Sequence, residues 1–127
     1  MQTGSCLCGA VRYEVHGPLR PSIGCHCLIC RKTSGHYWSA TQAACADIRL
    51  TENKGLRWFR SSDTARRAFC NQCGSSLFYQ EDGQDNWSIG TGTLDNPTGL
   101  RTSHHICLDE KGDYYELADD AEITRVQ

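Results

Sequence analysis

The sequence predicts an all-β fold of short antiparallel strands with little helix, and it predicts that a bound metal stabilises this fold. Three observations support the prediction: short segments in which apolar and polar residues alternate, turn residues between these segments, and nine cysteines that gather mainly in three clusters. Alternation with a period of two is typical of half-buried strands. Several short strands separated by turns indicate a sandwich, a barrel or a folded pair of sheets.

Strand signals follow one another along most of the chain. Val11, Tyr13 and Val15 alternate with polar residues and mark the clearest strand, which Gly17 and Pro18 close. Further strands are expected at residues 37–41, 48–50, 56–59, 77–79, 87–89 and 105–108. Turn residues separate several of them, at 53–55, 81–83 and 96–97.

One short helix is expected among the strands. Residues 28–34 fit a helical turn, and Gly35 would end it because glycine readily adopts the left-handed conformation found after helices. The sequence contains no long amphipathic helix, and no apolar run approaches the ~20 residues of a membrane-spanning helix. We therefore expect residues 1–127 to form a single domain without a membrane segment.

Composition and charge narrow the possible functions. The net charge of -2 and the pI of about 6.2 argue against a dedicated nucleic-acid surface, which usually carries a strong basic excess. The N-terminal residues lack the basic and apolar regions of a signal peptide, so we expect a soluble, cytoplasmic protein. Apolar residues make up only 39% of the chain, so a modest core would gain stability from a bound metal.

Cysteine usage in a cytoplasmic chain favours metal binding over disulfides. Reducing compartments keep most thiols reduced, and nine cysteines cannot all be paired within one chain. Cys45 and Cys107 stand apart from the clusters. We expect both to be ordinary thiols without a metal role, because free cysteine behaves as a small hydrophobic residue.

Two distant cysteine pairs predict a closed, structural zinc site. Cys70 and Cys73 form a Cys-x-x-Cys turn that points two sulfurs to one side, and the glycine that follows lets the chain turn sharply. Cys6 and Cys8 can supply the other two ligands of a tetrahedral site if the N-terminal strand lies beside this turn. The alternative is a redox Cys-x-x-Cys with two spare thiols, but the βαβ setting of such motifs is absent.

The central cysteine cluster predicts a different kind of site. Cys25, Cys27 and Cys30 place three sulfurs within six residues. Three protein ligands with a fourth position left free are typical of catalytic zinc. His26 could be a fourth ligand, but we expect its side chain to point away, since ligands flank it on both sides. The alternative is a second structural site formed by three cysteines and one histidine.

Three cysteine-containing segments together resemble one known family. They are residues 4–13 (GSCLCGAVRY), 25–32 (CHCLICRK) and 69–78 (FCNQCGSSLF), and residues 92–95 and 105–106 follow the same pattern. They are similar to the glutathione-dependent formaldehyde-activating enzyme family, which also includes centromere protein V. The resemblance extends over residues 3–117 and implies a zinc-stabilised β-tent fold, shared with methionine sulfoxide reductase B. It implies a structural zinc on Cys6, Cys8, Cys70 and Cys73, and a catalytic zinc on Cys25, Cys27 and Cys30.

The same resemblance implies a carbon–sulfur lyase-type enzyme that condenses glutathione with formaldehyde to S-(hydroxymethyl)glutathione. A small-molecule thiol and a small aldehyde are therefore the expected partners, and the sequence predicts no particular oligomeric state. Arg31 and Lys32 lie beside the central cluster, where they either pair with glutathione carboxylates or form a solvated turn. Candidate proton carriers are His26, His36 and His105, each of which is more readily explained as structural.

Two other functions also fit the cysteine clusters. The chain could be a non-enzymatic zinc-binding module, because clustered cysteines alone do not distinguish a module from an enzyme. It could also be a redox or metal-handling protein that releases zinc when a cysteine of the central cluster is oxidised. The free fourth position expected at that cluster favours the enzyme.

Overall fold

The computed structural model describes residues 1–127, and β-strands dominate it. In chain order the strands are β1 (Gln2–Ser5), β2 (Arg12–Val15), β3 (Ser22–Cys25), β4 (Trp38–Ala44), β5 (Ile48–Glu52), β6 (Leu56–Arg60), β7 (Ala65–Cys70), β8 (Ser76–Glu81), β9 (Asn86–Gly90), β10 (Thr102–Ile106) and β11 (Thr124–Arg125). One α-helix, α1 (Leu28–Ser34), and three 3₁₀ turns, at Cys45–Asp47, Thr91–Thr93 and Leu108–Glu110, complete the secondary structure. The prediction of an all-β fold with little helix is confirmed.

The strands form two sheets. A three-stranded sheet has the order β1-β2-β5, and an eight-stranded sheet has the order β11-β10-β3-β4-β9-β8-β7-β6. Most neighbouring strands are antiparallel, as expected, but β10 runs parallel to both β3 and β11. Most of the chain separates β3 from β10, so no hairpin constrains their relative direction. This long-range pairing brings the segment after β10 beside the central cysteine cluster.

Each strand expected from the alternating pattern is present within a few residues of its expected position, but the pattern does not predict β1, β3, β7 or β11. β3 contains Gly24, and β7 contains the adjacent Arg66 and Arg67, residue types that seldom indicate a strand inside a sheet. Both strands lie in the interior of the larger sheet, where neighbours pair with both of their edges. β7 pairs with its neighbours in sequence, β6 and β8, whereas β3 pairs with β4 at one edge and with the distant β10 at the other.

The main hydrophobic core lies between the two sheets. Tyr13 and Val15 of β2 are at most 1% exposed and pack with Leu77 and Phe78 of β8. The Tyr13 and Phe78 rings meet edge to face, with centroids 5.3 Å apart. The Tyr13 hydroxyl forms a 2.6 Å hydrogen bond with the hydroxyl of Thr93, so the one polar atom of this buried ring is satisfied.

Helix α1 begins and ends where the sequence predicts. The Sγ of Cys27 accepts a hydrogen bond from the backbone N–H of Cys30 at 3.3 Å, which caps the first turn. Gly35 ends the helix with φ +86°, and its N–H donates to the Arg31 carbonyl at 2.8 Å. None of the helical segments has the length and apolar character needed to span a lipid bilayer.

Candidate metal centres and active-site cavity

Four cysteines that are distant in sequence meet at one point. Cys6 and Cys8 lie in the loop between β1 and β2, Cys70 ends β7, and Cys73 lies in the turn before β8. We call these residues the four-cysteine group; all of its Sγ atoms lie within 4.8 Å of one another. The Sγ atoms of Cys6 and Cys8 are 3.7 Å apart, and those of Cys8 and Cys70 are 3.8 Å apart. A tetrahedron with Zn–S bonds of about 2.3 Å has edges of about 3.8 Å, so this donor set fits zinc.

Backbone amides and the side chain of Ser75 form hydrogen bonds with sulfurs of the four-cysteine group. The N–H groups of Val11 and Gln72 donate to the sulfurs of Cys6 and Cys70 at 3.3 and 3.4 Å. Hydrogen bonds from the Ser75 side chain and backbone lower the pKa of Cys73 to about 5. Because metals bind the thiolate form, the bonds from Ser75 favour the ligand state of Cys73.

The four-cysteine group joins the two sheets. Cys6 and Cys8 lie in the loop that connects two strands of the three-stranded sheet. Cys70 and Cys73 lie where β7 connects to β8 in the eight-stranded sheet. A metal held by both pairs would link segments more than sixty residues apart in sequence, as the separation of Cys8 from Cys70 shows. Such a link removes conformational freedom from the unfolded chain and stabilises the fold.

The second cluster comprises Cys25, Cys27 and Cys30, which we call the central cysteine group. Cys25 ends β3, Cys27 precedes α1 and Cys30 lies in the first turn of α1. Their Sγ atoms lie within 4.8 Å of one another, which fits ligation of a shared metal. The bend between β3 and α1 brings the sulfurs together, so this local group needs no distant partner.

His26 does not belong to the central cysteine group, although it lies between two of its members. Its buried imidazole bonds through Nδ1 to the Tyr115 hydroxyl and through Nε2 to Nδ1 of His105, at 2.9 Å for the latter. Burial, together with the neighbouring His105 and Lys111, lowers the pKa of His26 to about 4. The imidazole is therefore neutral near pH 7. Its ring also stacks on Tyr37, with centroids 4.5 Å apart, which indicates a structural role.

A cavity of about 370 Å³ opens beside the central cysteine group, and all three cysteines line it. Its apolar wall comprises Ile23, Ile29, Trp38, Ala40, Tyr79 and Ile106. Its lining includes no Asp, Glu or His, so none of the three candidate proton carriers faces it. A larger surface depression of about 710 Å³ beside Leu100 and Ile123 contains no cysteine, so we place the candidate chemistry in the smaller cavity.

Arg67 is a site residue that the sequence analysis missed. It is only 8% exposed, and its Nη2 donates to the Sγ of Cys30 at 3.2 Å. The guanidinium carbon lies 5.3 Å from the centre of the Trp38 ring and 5.0 Å from that of Tyr79. The hydrogen bond with Cys25, together with burial, raises the pKa of the Cys30 thiol, and the positive charge of Arg67 opposes this shift. Arg67 therefore favours the thiolate that a metal requires.

Three other residues near the central cysteine group differ in their relation to the cavity. Arg31 donates to the backbone carbonyl of Glu110 at 3.4 Å, and Lys32 is exposed. Neither lines the cavity, which favours the solvated turn over pairing with a substrate. Cys107 does line the cavity, with a left-handed backbone at φ +57°. No local sequence signal marks this position, because the parallel pairing of β10 with β3 brings it there.

Comparisons with known proteins find similarity over most of this chain. A family model described as glutathione-dependent formaldehyde-activating enzyme matches residues 1–110. An uncharacterized lyase of Schizosaccharomyces pombe is 26% identical over 127 residues, which cover 97% of this chain and 90% of that protein. A putative glutathione-dependent formaldehyde-activating enzyme of Halomonas elongata is 35% identical over 88 residues, covering 59% of this chain and 53% of that protein.

A solved structure has the same fold. The crystal structure of a Rhodobacter sphaeroides protein aligns with a TM-score of 0.63 and 27% sequence identity. The alignment covers 74% of this chain and 88% of that chain. The arrangement of strands described above is therefore found in a second protein whose sequence differs at most positions.

Proposed function

The chain belongs to the glutathione-dependent formaldehyde-activating enzyme family, and we propose that it is a zinc-dependent carbon–sulfur lyase-type enzyme. In this proposal it joins a glutathione-like thiol to a small aldehyde such as formaldehyde, in the manner of an S-(hydroxymethyl)glutathione synthase. The names of two relatives, a lyase and a putative formaldehyde-activating enzyme, support this reaction class. The proposed catalytic domain spans residues 1–127.

One observation carries the proposal: three cysteine sulfurs that fit a metal lie in the wall of a largely apolar cavity. A structural metal is enclosed by four protein ligands and needs no adjoining cavity. The central cysteine group supplies three ligands, so a small molecule in the cavity can reach the fourth position. This arrangement favours an enzyme over a module that only binds zinc.

We assign two zinc ions to the chain from the chemistry of the two donor sets. The four-cysteine group is closed and would hold the structural ion, whereas the central cysteine group would hold the catalytic ion. When bound at the central group, zinc supplies a Lewis acid that stabilises a thiolate near neutral pH. A free thiol has a pKa of about 8.5, so most of it is unreactive near neutrality without such help.

The proposed reaction adds a thiol across the aldehyde carbonyl. A carbon–sulfur bond forms, the carbon–oxygen double bond becomes a single bond, and the proton that leaves the thiol ends on the aldehyde oxygen. Arg67, with its Nη2 3.2 Å from the Cys30 sulfur, favours negative charge on the reacting sulfur and oxygen. Ile23 and Trp38 give the cavity lining a largely apolar surface, which disfavours bound water.

Exchange NMR tests the proposed activity directly. We expect the zinc-loaded protein to accelerate exchange between formaldehyde and S-(hydroxymethyl)glutathione above the spontaneous rate. Cys27→Ala removes one sulfur of the central cysteine group and should return exchange to the spontaneous rate. Cys45→Ala, which changes a cysteine outside both groups, should leave the acceleration intact.

Two results would contradict this proposal. One is a zinc-loaded wild-type protein that leaves the exchange rate at its spontaneous value. The other is a Cys27→Ala variant that keeps full acceleration, which would move the chemistry away from the central cysteine group.

A further inference from the structure

Tyr79 carries a free hydroxyl in the wall of the cavity. Its ring belongs to β8 and lines the cavity, and its hydroxyl takes part in none of the hydrogen bonds of the protein. Two of the three serines in the lining are engaged, because Ser61 bonds to the Ala65 carbonyl and Ser62 to the Thr64 hydroxyl. A polar group in the wall of a largely apolar cavity is a typical means of orienting a small molecule.

Tyr79 and the central cysteine group share one packed cluster. Cys30, Trp38 and Ala40 form the buried part of this cluster. Tyr79 packs against it, and so do the other two cysteines of the group. The phenol therefore lies in the part of the cavity where the three sulfurs would hold a metal.

Arg67 connects Tyr79 to these sulfurs. The register places Arg67 of β7 directly opposite Tyr79, so both side chains lie on the same face of the sheet. The guanidinium carbon is 5.0 Å from the centre of the Tyr79 ring, and Nη2 is 3.2 Å from the Cys30 sulfur. Ser88, the other lining residue with a free hydroxyl, pairs with Tyr79 on the side away from Arg67, one strand further from these contacts.

The hydroxyl of Tyr79 is a hydrogen-bond donor near neutral pH. Burial raises the pKa of Tyr79 above the usual value of about 10, and the negative charge of Glu81 acts in the same direction. The group is therefore a phenol and not a phenolate. Tyrosine hydroxyls are among the donors that stabilise negative charge as it develops on a carbonyl oxygen.

We propose that Tyr79 is a catalytic residue whose hydroxyl donates a hydrogen bond to the aldehyde oxygen while the carbon–sulfur bond forms. This inference rests on the proposed function, which supplies the aldehyde. A lone pair of the thiol sulfur forms the bond to the carbonyl carbon, and the π electron pair of the carbonyl moves to its oxygen. The hydrogen bond from Tyr79 strengthens as this charge grows, so it stabilises the transition state more than the bound aldehyde. The proton that the thiol lost returns to the oxygen through water, and Tyr79 ends the step unchanged.

Exchange NMR with Tyr79→Phe tests this role. The variant lacks only the hydroxyl, and the acceleration of formaldehyde exchange by the zinc-loaded protein should fall at least about tenfold. Binding of glutathione alone should change little, because the donor acts on the aldehyde oxygen. The free energy of unfolding should also stay the same, since the hydroxyl bonds to no protein group. Tyr114→Phe is the matched control: Tyr114 is 56% exposed and lies outside the cavity, so this variant should keep the wild-type rate.

Two small thiols test the same hydroxyl without any reaction. 2-Mercaptoethanol and 1-propanethiol have chains of equal length and differ only in a terminal hydroxyl or methyl group. With the sulfur at the central cysteine group, the oxygen of 2-mercaptoethanol can accept a hydrogen bond from Tyr79, and the methyl group cannot. In calorimetric titration of the zinc-loaded protein, Tyr79→Phe should weaken 2-mercaptoethanol relative to 1-propanethiol by roughly three- to tenfold. Tyr114→Phe should leave the ratio of the two affinities unchanged.

A Tyr79→Phe variant that keeps the wild-type acceleration would overturn the proposal. So would a variant that loses acceleration only because it no longer binds glutathione or zinc, since that result indicates a structural role. If the wild-type protein does not accelerate exchange, the proposed function fails and the two thiols decide separately: a shifted ratio retains Tyr79 as a donor to a ligand oxygen, and an unchanged ratio removes it. If the wild-type protein accelerates exchange but Tyr79→Phe changes neither rate nor ratio, the function stands and the donor is another group.

Discussion

At the scale of single residues, Arg66 and Arg67 are adjacent in the sequence but have opposite surroundings. Strand β7 alternates its side chains, so Arg66 lies over the Trp58 ring at 3.9 Å, whereas Arg67 points into the cavity and contacts Cys30. Arg67 is only 8% exposed, so it lies on the buried side of the strand, and nothing in the local sequence distinguishes it from Arg66.

The buried hydroxyl of Tyr13 should make the free energy of unfolding fall at alkaline pH. Burial raises the pKa of its hydroxyl to about 12, against about 10 for an unfolded tyrosine. The unfolded chain therefore loses this proton first, so the contribution of Tyr13 is fully present below pH 10 and is lost as the pH rises towards 12. We expect a loss of roughly 2–3 kcal/mol over that range, measured by urea unfolding.

Tyr13→Phe is the matched comparison for this prediction. The variant lacks the titrating hydroxyl, so its free energy of unfolding should fall less steeply between pH 10 and 12. Both proteins share every cysteine and lysine, so the difference between their slopes isolates the tyrosine. Identical slopes in the two proteins would show that Tyr13 ionises as readily when folded as when unfolded.

At the scale of secondary-structure elements, a glycine with the same backbone conformation follows each of the two cysteine pairs of the four-cysteine group. Gly9 follows Cys8 and Gly74 follows Cys73, and both glycines have φ +83°. A residue with a Cβ is strained in this left-handed conformation, so glycine allows the chain to reverse while the sulfurs stay on one side. The Cys-x-x-Cys spacing predicted the second turn from sequence alone.

Gly74→Ala tests this geometry. A Cβ at Gly74 would meet no atom within 4 Å, so the expected cost is backbone strain alone, about 1–2 kcal/mol. We expect weaker metal retention in competition with a chelator and a lower free energy of unfolding.

Gly92→Ala is the control for Gly74→Ala. Gly92 is also exposed, and its added Cβ would also meet open space, but its backbone is not left-handed. Its substitution should therefore change stability by less than about 0.5 kcal/mol. Equal effects of the two alanines would mean that the left-handed turn does not matter for the metal group.

At the scale of the whole molecule, the two cysteine groups have different relations to the fold. The four-cysteine group connects the two sheets, whereas the central cysteine group lies within one bend between β3 and α1. Loss of a metal from the first should separate the sheets and expose the core. Loss from the second should leave both sheets in place, because no inter-sheet contact depends on it.

Paired alanine variants test this difference. Purified wild-type protein should contain about two zinc ions per chain, as the ligand count requires. Cys70→Ala should unfold the protein, whereas Cys27→Ala should leave its circular dichroism spectrum unchanged and remove about one zinc ion. If the two variants lost the same amount of structure and metal, the division into a structural and a catalytic site would be wrong.

The sequence by itself determined the all-β fold, the position of helix α1 and the two groupings of cysteines. These features depend on local information: alternating burial in a strand, glycine after a helix, and sulfurs spaced within one turn or bend. The buried strand at Tyr13 and Val15 and the end of α1 at Gly35 were predictable for that reason.

Only the tertiary structure decided which residues face the cavity. Arg20, Arg67 and Cys107 lie in segments whose local patterns carry no sign of a site, and the register of distant strands brings them beside the central cysteine group. Register depends on side-chain packing and hydrogen bonds between segments far apart in the chain. The cysteines therefore predicted the position of the candidate site from sequence, whereas the arginines that line its cavity became apparent only when the strands were paired.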